Sequence, residues 1–223
     1  MDNKNVPHHA TPALIALAAI IVLFSLEGCA SSKEEGKASV VSAPSALAGE
    51  RKPIAGEIAP YSGSGKTLVV YFSQGEATRW AAEDIAELFG ADIEEIEEKK
   101  PRKANFIGFM FSGFQSTFKM SSAIKEPRLD PAAYDRVFVL TPVWSWGLAP
   151  PVRSWLKLQN GRLPKSAFAS VSGDTKPDKI VAAMAKASGA APAAYAGFVE
   201  ADFKPEGRAA YLAKLSGLAD PMR

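Results

Sequence analysis

The chain has 223 residues, of which 47% are hydrophobic and 22% are charged, proportions that are typical of a globular protein rather than a disordered or fibrous one. Its 26 basic and 24 acidic side chains leave a net charge of +2, so the composition predicts no nucleic-acid partner. Both histidines, His8 and His9, and the only cysteine, Cys29, lie near the amino terminus. The rest of the chain therefore lacks the residues for Ser-His-Asp or Cys-His hydrolysis, a Cys/His zinc site or an internal disulfide. We predict no metal site, and any reaction would use carboxylates, hydroxyls, Lys, Tyr or a bound cofactor.

The amino terminus has the features of an export signal. Residues 13–24 form an apolar run that is too short for a membrane-spanning helix, which needs roughly 20 residues, but suits the core of a signal peptide. Leu26-Glu27-Gly28-Cys29 follows closely and resembles a bacterial lipobox, in which the cysteine is acylated. We predict a signal peptide over residues 1–28 and an extracytoplasmic protein, anchored by a lipid on Cys29 to the periplasmic side of a bacterial membrane. The alternative is a tethering or buried apolar helix with an incidental cysteine.

Residues 29–65 are predicted to form a flexible linker, and residues 66–223 a folded domain. The linker is rich in small, charged and Pro residues and shows no apolar periodicity. It ends in Gly65-Lys66-Thr67, a sequence that also occurs in nucleotide-binding phosphate loops. Such a loop requires a glycine where Pro60 stands, and it follows a strand instead of preceding one. The sequence therefore does not predict binding of a nucleoside triphosphate.

Strands and helices alternate beyond Lys66, and this pattern predicts an α/β domain with a parallel sheet covered by helices on both faces. The hydrophobic patterns predict strands over residues 67–73, 91–96, 136–141, 167–172 and 195–199. They predict helices over residues 77–89, 151–158, 177–186 and 207–218. We expect Pro142 to end the third strand, and Gly90 and Gly189 to end the first and third helices.

A segment rich in phenylalanine interrupts this alternation between Asn105 and Ile124. We interpret its aromatic residues as part of the core, and the alternative is an apolar cover over a ligand site. A basic run, which includes Lys99, Lys100 and Arg102, precedes this segment. Its simplest interpretation is a solvated loop, although such a run could also attract an anionic partner.

Two loops are candidates for a ligand site. In an open doubly wound sheet, ligands bind beyond the carboxyl ends of the strands, where the strand order reverses. This rule selects residues 73–78 after the first strand and residues 142–147 after the third. The first loop offers hydroxyls, a glycine and the start of a helix, which suit a bound anion. The second carries Trp144 and Trp146, so the pair would suit a ligand that has a phosphate at one end and a flat ring at the other.

The strands and loops also carry recognisable sequence motifs. Residues 67–73 read TLVVYFS before an Ala-rich helix, residues 141–144 read TPVW, and residues 150–156 read PPVRSWL. These stretches resemble the first strand, the third strand with its flavin loop, and the following helix of the flavodoxin family. The resemblance covers about residues 66–220. It implies a flavodoxin-like doubly wound sheet of five parallel strands in the order 2-1-3-4-5, with helices on both faces and FMN bound at its edge.

The resemblance also implies which residues would hold FMN. The residues implied for the phosphate are Ser73, Gln74, Gly75, Ala77 and Thr78. Those implied for one side of the ring are Pro142, Val143, Trp144, Ser145, Trp146 and Gly147, and those implied for the other side are Ser172, Gly173 and Asp174. No residue is a convincing proton donor, so we assign no catalytic residue. This favours electron transfer with a redox protein or small electron acceptor, or a simple flavin-dependent reductase of NAD(P)H or quinone type.

The phosphate loop departs from the family pattern at two positions, because Gly75 replaces a hydroxyl-bearing residue and Glu76 replaces a glycine. Flavodoxins usually have a glycine where Glu76 stands, and a carboxylate there would repel a phosphate. Glu76 could point to solvent, and Arg79 could contact the phosphate instead. Alternatively, Ser73 and Glu76 match a capping box, in which both side chains bond to backbone amides at the start of a helix. The domain would then be a flavin-free lipoprotein with a closed phosphate loop, serving as a binding or structural module.

Overall fold

The computed structural model describes residues 51–100 and 115–223. The strands are β1 (Thr67–Tyr71), β2 (Asp92–Glu95), β3 (Arg136–Trp144), β4 (Gly147–Leu148), β5 (Lys165–Ser172) and β6 (Ala194–Val199). The helices are α1 (Glu76–Phe89), α2 (Pro150–Leu158), α3 (Asp178–Ser188) and α4 (Arg208–Ala219). Each of the five strands and four helices predicted from the sequence is present, with ends that differ by a few residues.

Five strands form one parallel sheet in the order β2-β1-β3-β5-β6, and the short β4 pairs with β3 outside this path. The chain runs outward from β1 to β2 and then returns across β1 to β3, so the strand order reverses between β1 and β3. The prediction of a flavodoxin-like doubly wound α/β fold, with five parallel strands in the order 2-1-3-4-5, is confirmed. The reversal places the ends of β1 and β3 at the switch point of the sheet.

Helices cover both faces of the sheet, and alternate strand residues point to opposite faces, so each strand contributes side chains to two cores. Val69 and Phe138 face a core that includes α1 and α4, where Ile85 and Leu215 are fully buried. The opposite core lies between the sheet and helices α2 and α3. Its largest buried side chain is that of Trp155. Two covered faces explain why the central strands read as continuous apolar runs.

Glycines end two of the helices, as predicted. Gly90 follows α1 and Gly189 follows α3, and both adopt the left-handed conformation that a helix end often requires. Among the described residues, no helix is both long enough and apolar enough to cross a bilayer.

The third strand does not end at Pro142. The parallel pairing continues through Pro142, which lies opposite Val171, and β3 extends to Trp144. The prediction was wrong because the last residues of β3 find a different partner. Val143 and Trp144 pair with the antiparallel strand β4. Pro142 is the last residue of the parallel pairing with β5, so its missing N–H does not prevent the pairing with β4 that follows.

The folded part of the chain begins before Lys66. Residues 51–65, predicted as the end of a flexible linker, pack on α1 and α4, and the side chain of Ile54 is only 2% exposed in the core. Arg51 forms ion pairs with Asp84 and Glu87 of α1. The boundary at Lys66 is therefore corrected, because one apolar side chain in a polar segment carries no periodic signal. The predicted signal peptide, Cys29 and linker residues 29–50 lie outside the described residues, as does the first half of the phenylalanine-rich segment, residues 105–114.

Candidate functional site

Three loops follow the carboxyl ends of adjacent strands. In the ladder, Tyr71 at the end of β1 lies opposite Leu140 of β3, and Pro142 of β3 lies opposite Val171 of β5. The rings of Phe72 and Trp144 meet edge to face, with their centroids 5.5 Å apart. The first and second predicted loops are therefore neighbours, and the third follows the next strand along the same edge.

The first loop leads directly into α1. Glu76 is the first helical residue, and Gly75 is the N-cap and has no side-chain hydrogen bond that caps the helix. The hydroxyl of Ser73 donates to the carbonyl of Gly75 and accepts from the amide of the same residue at 3.4 Å. The amides of the first helical turn have no intrahelical partner, and they lie at the positive end of the helix. A Cβ built on Gly75 meets no atom within 4 Å, so the space beside the loop is open among the described residues.

The capping-box prediction is wrong. A capping box would make Ser73 the N-cap, whereas the helix begins two residues later than that motif requires. Ser73 is engaged with Gly75 instead, and the carboxylate of Glu76 lies 3.8 Å from the guanidinium of Arg79. Because the N-cap residue is a glycine, no side chain at the cap accepts a hydrogen bond from the amides of the first turn of α1.

Arg79 brings a cation to the same turn of α1. Its Nε atom is buried and has no hydrogen-bond partner in the described part of the chain. Buried donors without a partner are uncommon in folded proteins and often mark a site that a ligand completes. The remaining residues predicted for this loop differ in exposure: Gln74 is exposed, Ala77 is half-buried and Thr78 is buried.

The second loop is a tight hairpin turn between β3 and β4. Ser145 and Trp146 are its two central residues, and both have positive φ angles, of 44° and 57°. This is the geometry of a type I′ turn, which usually contains Asn and Gly because other residues are strained there. Trp146 is nevertheless 70% exposed at the tip. Strained backbone of this kind is concentrated at functional sites, and here it presents a large aromatic ring to solvent.

Gly147 anchors the hairpin on the segment that follows residue 114. A Cβ at Gly147 would lie 2.6 Å from the hydroxyl oxygen of Ser116 and 3.1 Å from its carbonyl oxygen. The same hydroxyl donates to the carbonyl of Leu148 at 3.2 Å. Sequence analysis did not identify Ser116, since nothing in its neighbourhood in the chain signals a contact with so distant a segment. The close approach explains why a glycine stands at position 147.

The third loop follows β5. The buried Ser172 closes it, since its hydroxyl accepts from the amide of Thr175 at 2.9 Å and lies 3.2 Å from the carbonyl of the same residue. Gly173 and Asp174 are exposed at the tip, and a Cβ on Gly173 would meet no atom within 4 Å. The three loops at one edge therefore offer the backbone amides at the start of α1, an exposed indole ring and open space beside Gly75 and Gly173.

The side chain of Tyr71 lies at the end of β1 and is held in its neutral form. Burial raises the pKa of Tyr71 to about 12, and the carboxylate of Glu95, which accepts its hydroxyl at 3.2 Å, acts in the same direction. Tyr71 is therefore a hydrogen-bond donor at neutral pH and not a base. Within residues 51–100 and 115–223, no three His, Cys, Asp or Glu residues are grouped so that they could hold a metal ion.

Comparison with known proteins agrees with this architecture. Residues 66–159 match the sequence model of the flavodoxin family, from the first strand to the end of α2. Over this segment the chain is similar to the flavodoxin family. No curated protein matches it significantly.

Solved structures show the same fold as this chain. One is a flavoprotein from Lactobacillus acidophilus in complex with FMN, which is 21% identical, with a TM-score of 0.52 over 62% of this chain and 95% of that one. Another is an inferred flavoprotein from Bacteroides eggerthii, which is 22% identical, with a TM-score of 0.53 over 69% of this chain and 99% of that one. At these identities the likeness shows the fold alone. In this fold, ligands bind at the carboxyl ends of the strands, which is the edge that carries the three loops.

Proposed function

We propose that the three loops bind FMN non-covalently and that the bound flavin allows the protein to transfer electrons or to act as a simple flavin-dependent reductase. The observation that carries this proposal is the start of α1 at the switch point, where no side chain caps the helix and the space beside Gly75 is open. The match of residues 66–159 to the flavodoxin family and the FMN complex of the Lactobacillus acidophilus neighbour support the choice of ligand.

The first loop would hold the phosphate. The amides of the first turn of α1, from Glu76 onward, have no intrahelical partner and supply donors that suit an anion. Ser73 adds a hydroxyl beside them, and Arg79 adds a guanidinium whose Nε still lacks a partner. Glu76 opposes the anion, but its carboxylate is partly exposed and lies within 4 Å of Arg79, so both solvent and the cation screen its charge. The loop therefore fits a phosphate despite the glutamate.

The second and third loops would hold the flavin ring. Trp146 offers an exposed indole face for stacking, while Trp144 is held against Phe72. Gly173 leaves open space on the other side, where the backbone of Ser172 and Asp174 could contact the polar edge of the ring. FMN supplies the redox chemistry when it is bound, and the chain's own residues bind it, orient it and exclude water from part of it.

Location and partner complete the proposal. The sequence of residues 1–29 supports export and a lipid on Cys29, which would place the domain on the periplasmic side of a bacterial membrane. An electron carrier at that site would exchange electrons with a redox protein or with a small acceptor such as a quinone. Labelling of cells with a radioactive fatty acid tests the anchor, because Cys29→Ser should abolish incorporation.

Visible absorption of the purified full-length protein tests flavin binding. We expect FMN to bind and riboflavin, which has no phosphate, to bind at least about tenfold more weakly, because phosphate contacts at the helix terminus contribute more than 1.4 kcal/mol. Glu76→Gln should tighten FMN binding by about threefold to tenfold, since the variant removes a repulsion between partly screened charges. Riboflavin binding should not change in this variant.

Glu126→Gln is the matched control, because Glu126 is an exposed glutamate in the segment that leads to β3 and is not part of the three loops. Its affinity for FMN should equal that of the unaltered protein. A protein that binds neither FMN nor riboflavin, with or without Glu76, would contradict the proposal and would favour a flavin-free module that binds another protein.

A further inference from the structure

A cavity lies between α2, α3 and the hairpin that carries Trp146. Its volume is about 640 Å³, within the range of small-molecule sites. The cations that line it are Lys119, Arg153, Lys157, Lys179 and Lys186. No Asp or Glu of the described residues lines the cavity. Five positive charges around one concave surface, without a lining carboxylate, create a strong preference for an anion.

Helical periodicity explains how the charges come to face one another. Arg153 and Lys157 are four residues apart on α2. On α3, Lys179, Ala183 and Lys186 follow at intervals of four and three residues. Each set therefore lies along one side of its helix. Alanines at positions 182 and 183 line the floor between the two α3 lysines. These small side chains leave the space open that larger apolar residues would fill.

Arg153 is the unusual member of this set because it is buried without a counter-ion. The residue is only 8% exposed, and its Nε atom has no hydrogen-bond partner in the described structure. Its Nη2 reaches only the carbonyl of Leu148, at 3.5 Å. No carboxylate of the described residues lies within ion-pair distance, and the sequence of residues 101–114 contains no Asp or Glu. Burial consequently lowers the pKa of the Arg153 guanidinium.

An unpaired buried charge destabilises a protein, and partners normally accompany a buried arginine. Two buried carboxylates of the described residues follow that rule, since Asp84 pairs with Arg51 and Asp202 with Lys214. Arg153 is the exception among the described residues that form the cavity wall. An anion bound in the cavity would give this unsatisfied nitrogen a partner, and the four exposed lysines around it would attract such an anion.

We propose that this cavity binds a small organic anion that carries a phosphate or diphosphate group, with Arg153 as its buried anchor. Several negative charges on one group match five cations better than a single carboxylate does, and a guanidinium donates to phosphate oxygens in pairs. The apolar surface of Ile180 and Ala183, with Trp146 at the rim, would contact the organic part of the ligand. The site does not include the first loop, and it shares only the hairpin that carries Trp146 with the proposed flavin site.

Titration calorimetry of the full-length protein with pyrophosphate tests the proposal. We expect one bound pyrophosphate per chain, and we expect Arg153→Met to weaken binding at least about tenfold, because hydrogen bonds to charged groups contribute that much. Ala183→Leu should also weaken binding, because a larger side chain would fill the cavity. Lys165→Gln, which removes an exposed lysine at the other end of the sheet, is the matched control and should bind normally.

Thermal unfolding distinguishes an anchor from a merely structural arginine. Without pyrophosphate, Arg153→Met should unfold at the same or a higher temperature, since it replaces an unpaired buried charge with an apolar side chain. With pyrophosphate, the unaltered protein should gain stability and the variant should not. Arg153→Lys should recover part of the binding.

Other outcomes would overturn the proposal. Equal pyrophosphate affinity in Arg153→Met and the unaltered protein, or no binding at millimolar concentration, would exclude the site. Loss of binding in Ser73→Ala alone would assign the pyrophosphate to the first loop instead. Citrate bound more tightly than pyrophosphate would contradict the assignment of a phosphate-bearing ligand.

Discussion

Asp84 shows at the scale of single residues how this domain accommodates a charge in its core. It lies on the inner side of α1, where burial raises the pKa of its carboxyl and the hydrogen bond from Tyr211 opposes that effect. Arg51 donates to the same carboxylate at 2.6 Å from a segment far away in the chain. Two partners from opposite ends of the domain thus satisfy one buried acid, which contrasts with the unpaired guanidinium of Arg153.

Removal of the Tyr211 hydroxyl should therefore destabilise the protein. We expect Tyr211→Phe to lower the free energy of unfolding by about 1.5–3 kcal/mol, because the buried carboxylate loses a donor that nothing replaces. Urea unfolding measures this change. The control is Tyr195→Phe, since Tyr195 is half exposed and bonds to Asp178 at 3.3 Å at the surface, so its loss should cost less than about 0.5 kcal/mol. Equal effects of the two substitutions would show that burial of Asp84 is unimportant.

The hairpin of β3 and β4 is the element in which stability and the proposed function conflict. Its turn places Ser145 and Trp146 in left-handed conformations and exposes the ring of Trp146. A glycine at position 146 would adopt this backbone conformation without strain. A tryptophan side chain also stabilises a protein more when its apolar ring is buried than when it is exposed. An element that retains a strained and exposed tryptophan is more readily explained by a ligand than by folding.

Trp146→Gly should separate these two effects. We expect the variant to raise the free energy of unfolding by about 1 kcal/mol, since a glycine adopts a positive φ without strain. We also expect FMN binding to weaken at least about tenfold, because the aromatic face is lost. Urea unfolding and flavin absorption measure the two quantities.

Trp146→Phe is the control for this substitution, because it keeps an aromatic ring and the strained backbone. It should leave stability nearly unchanged and retain most of the flavin affinity. A loss of stability in Trp146→Gly would mean that the indole packs on the hairpin and that strain is not the dominant effect.

At the scale of the whole molecule, the domain is completed by residues that precede its first strand. Ile54 enters the core formed by α1 and α4. Arg208 of α4 bonds to the carboxylate of Glu57 at 2.8 Å and to the carbonyl of Pro53 at 2.9 Å. Tyr61 packs its ring on Phe89. Residues 51–61 therefore cover the outer side of one layer of helices and belong to the folded unit.

Ile54→Ala should reveal this contribution. We expect the free energy of unfolding to fall by about 2–4 kcal/mol, because a buried isoleucine loses its contacts and leaves a cavity. Ile58 offers the matched control, since it is the same residue type in the same segment but is only partly buried. Ile58→Ala should cost less than about 1.5 kcal/mol, and an Ile54→Ala protein as stable as the unaltered one would restore the boundary at Lys66.

The sequence by itself determined the class of fold and the location of the candidate site. Apolar runs such as Leu68–Val70 and Val137–Leu140 are local patterns, and their alternation with helical periods suffices to predict a parallel sheet and its switch point. The loops after β1, β3 and β5 follow from that topology, because parallel strands end at one edge. Family motifs on the same strands added the ligand.

Only the tertiary structure decided what the loops and helix faces do in detail. The start of α1 at Gly75, the strained exposure of Trp146 and the contact of Gly147 with Ser116 depend on neighbours that are distant in the chain. The insertion of Ile54 and the lack of a partner for Arg153 are of the same kind. Local patterns record how a segment prefers to fold, whereas burial, strain and missing partners arise only when separate segments pack together.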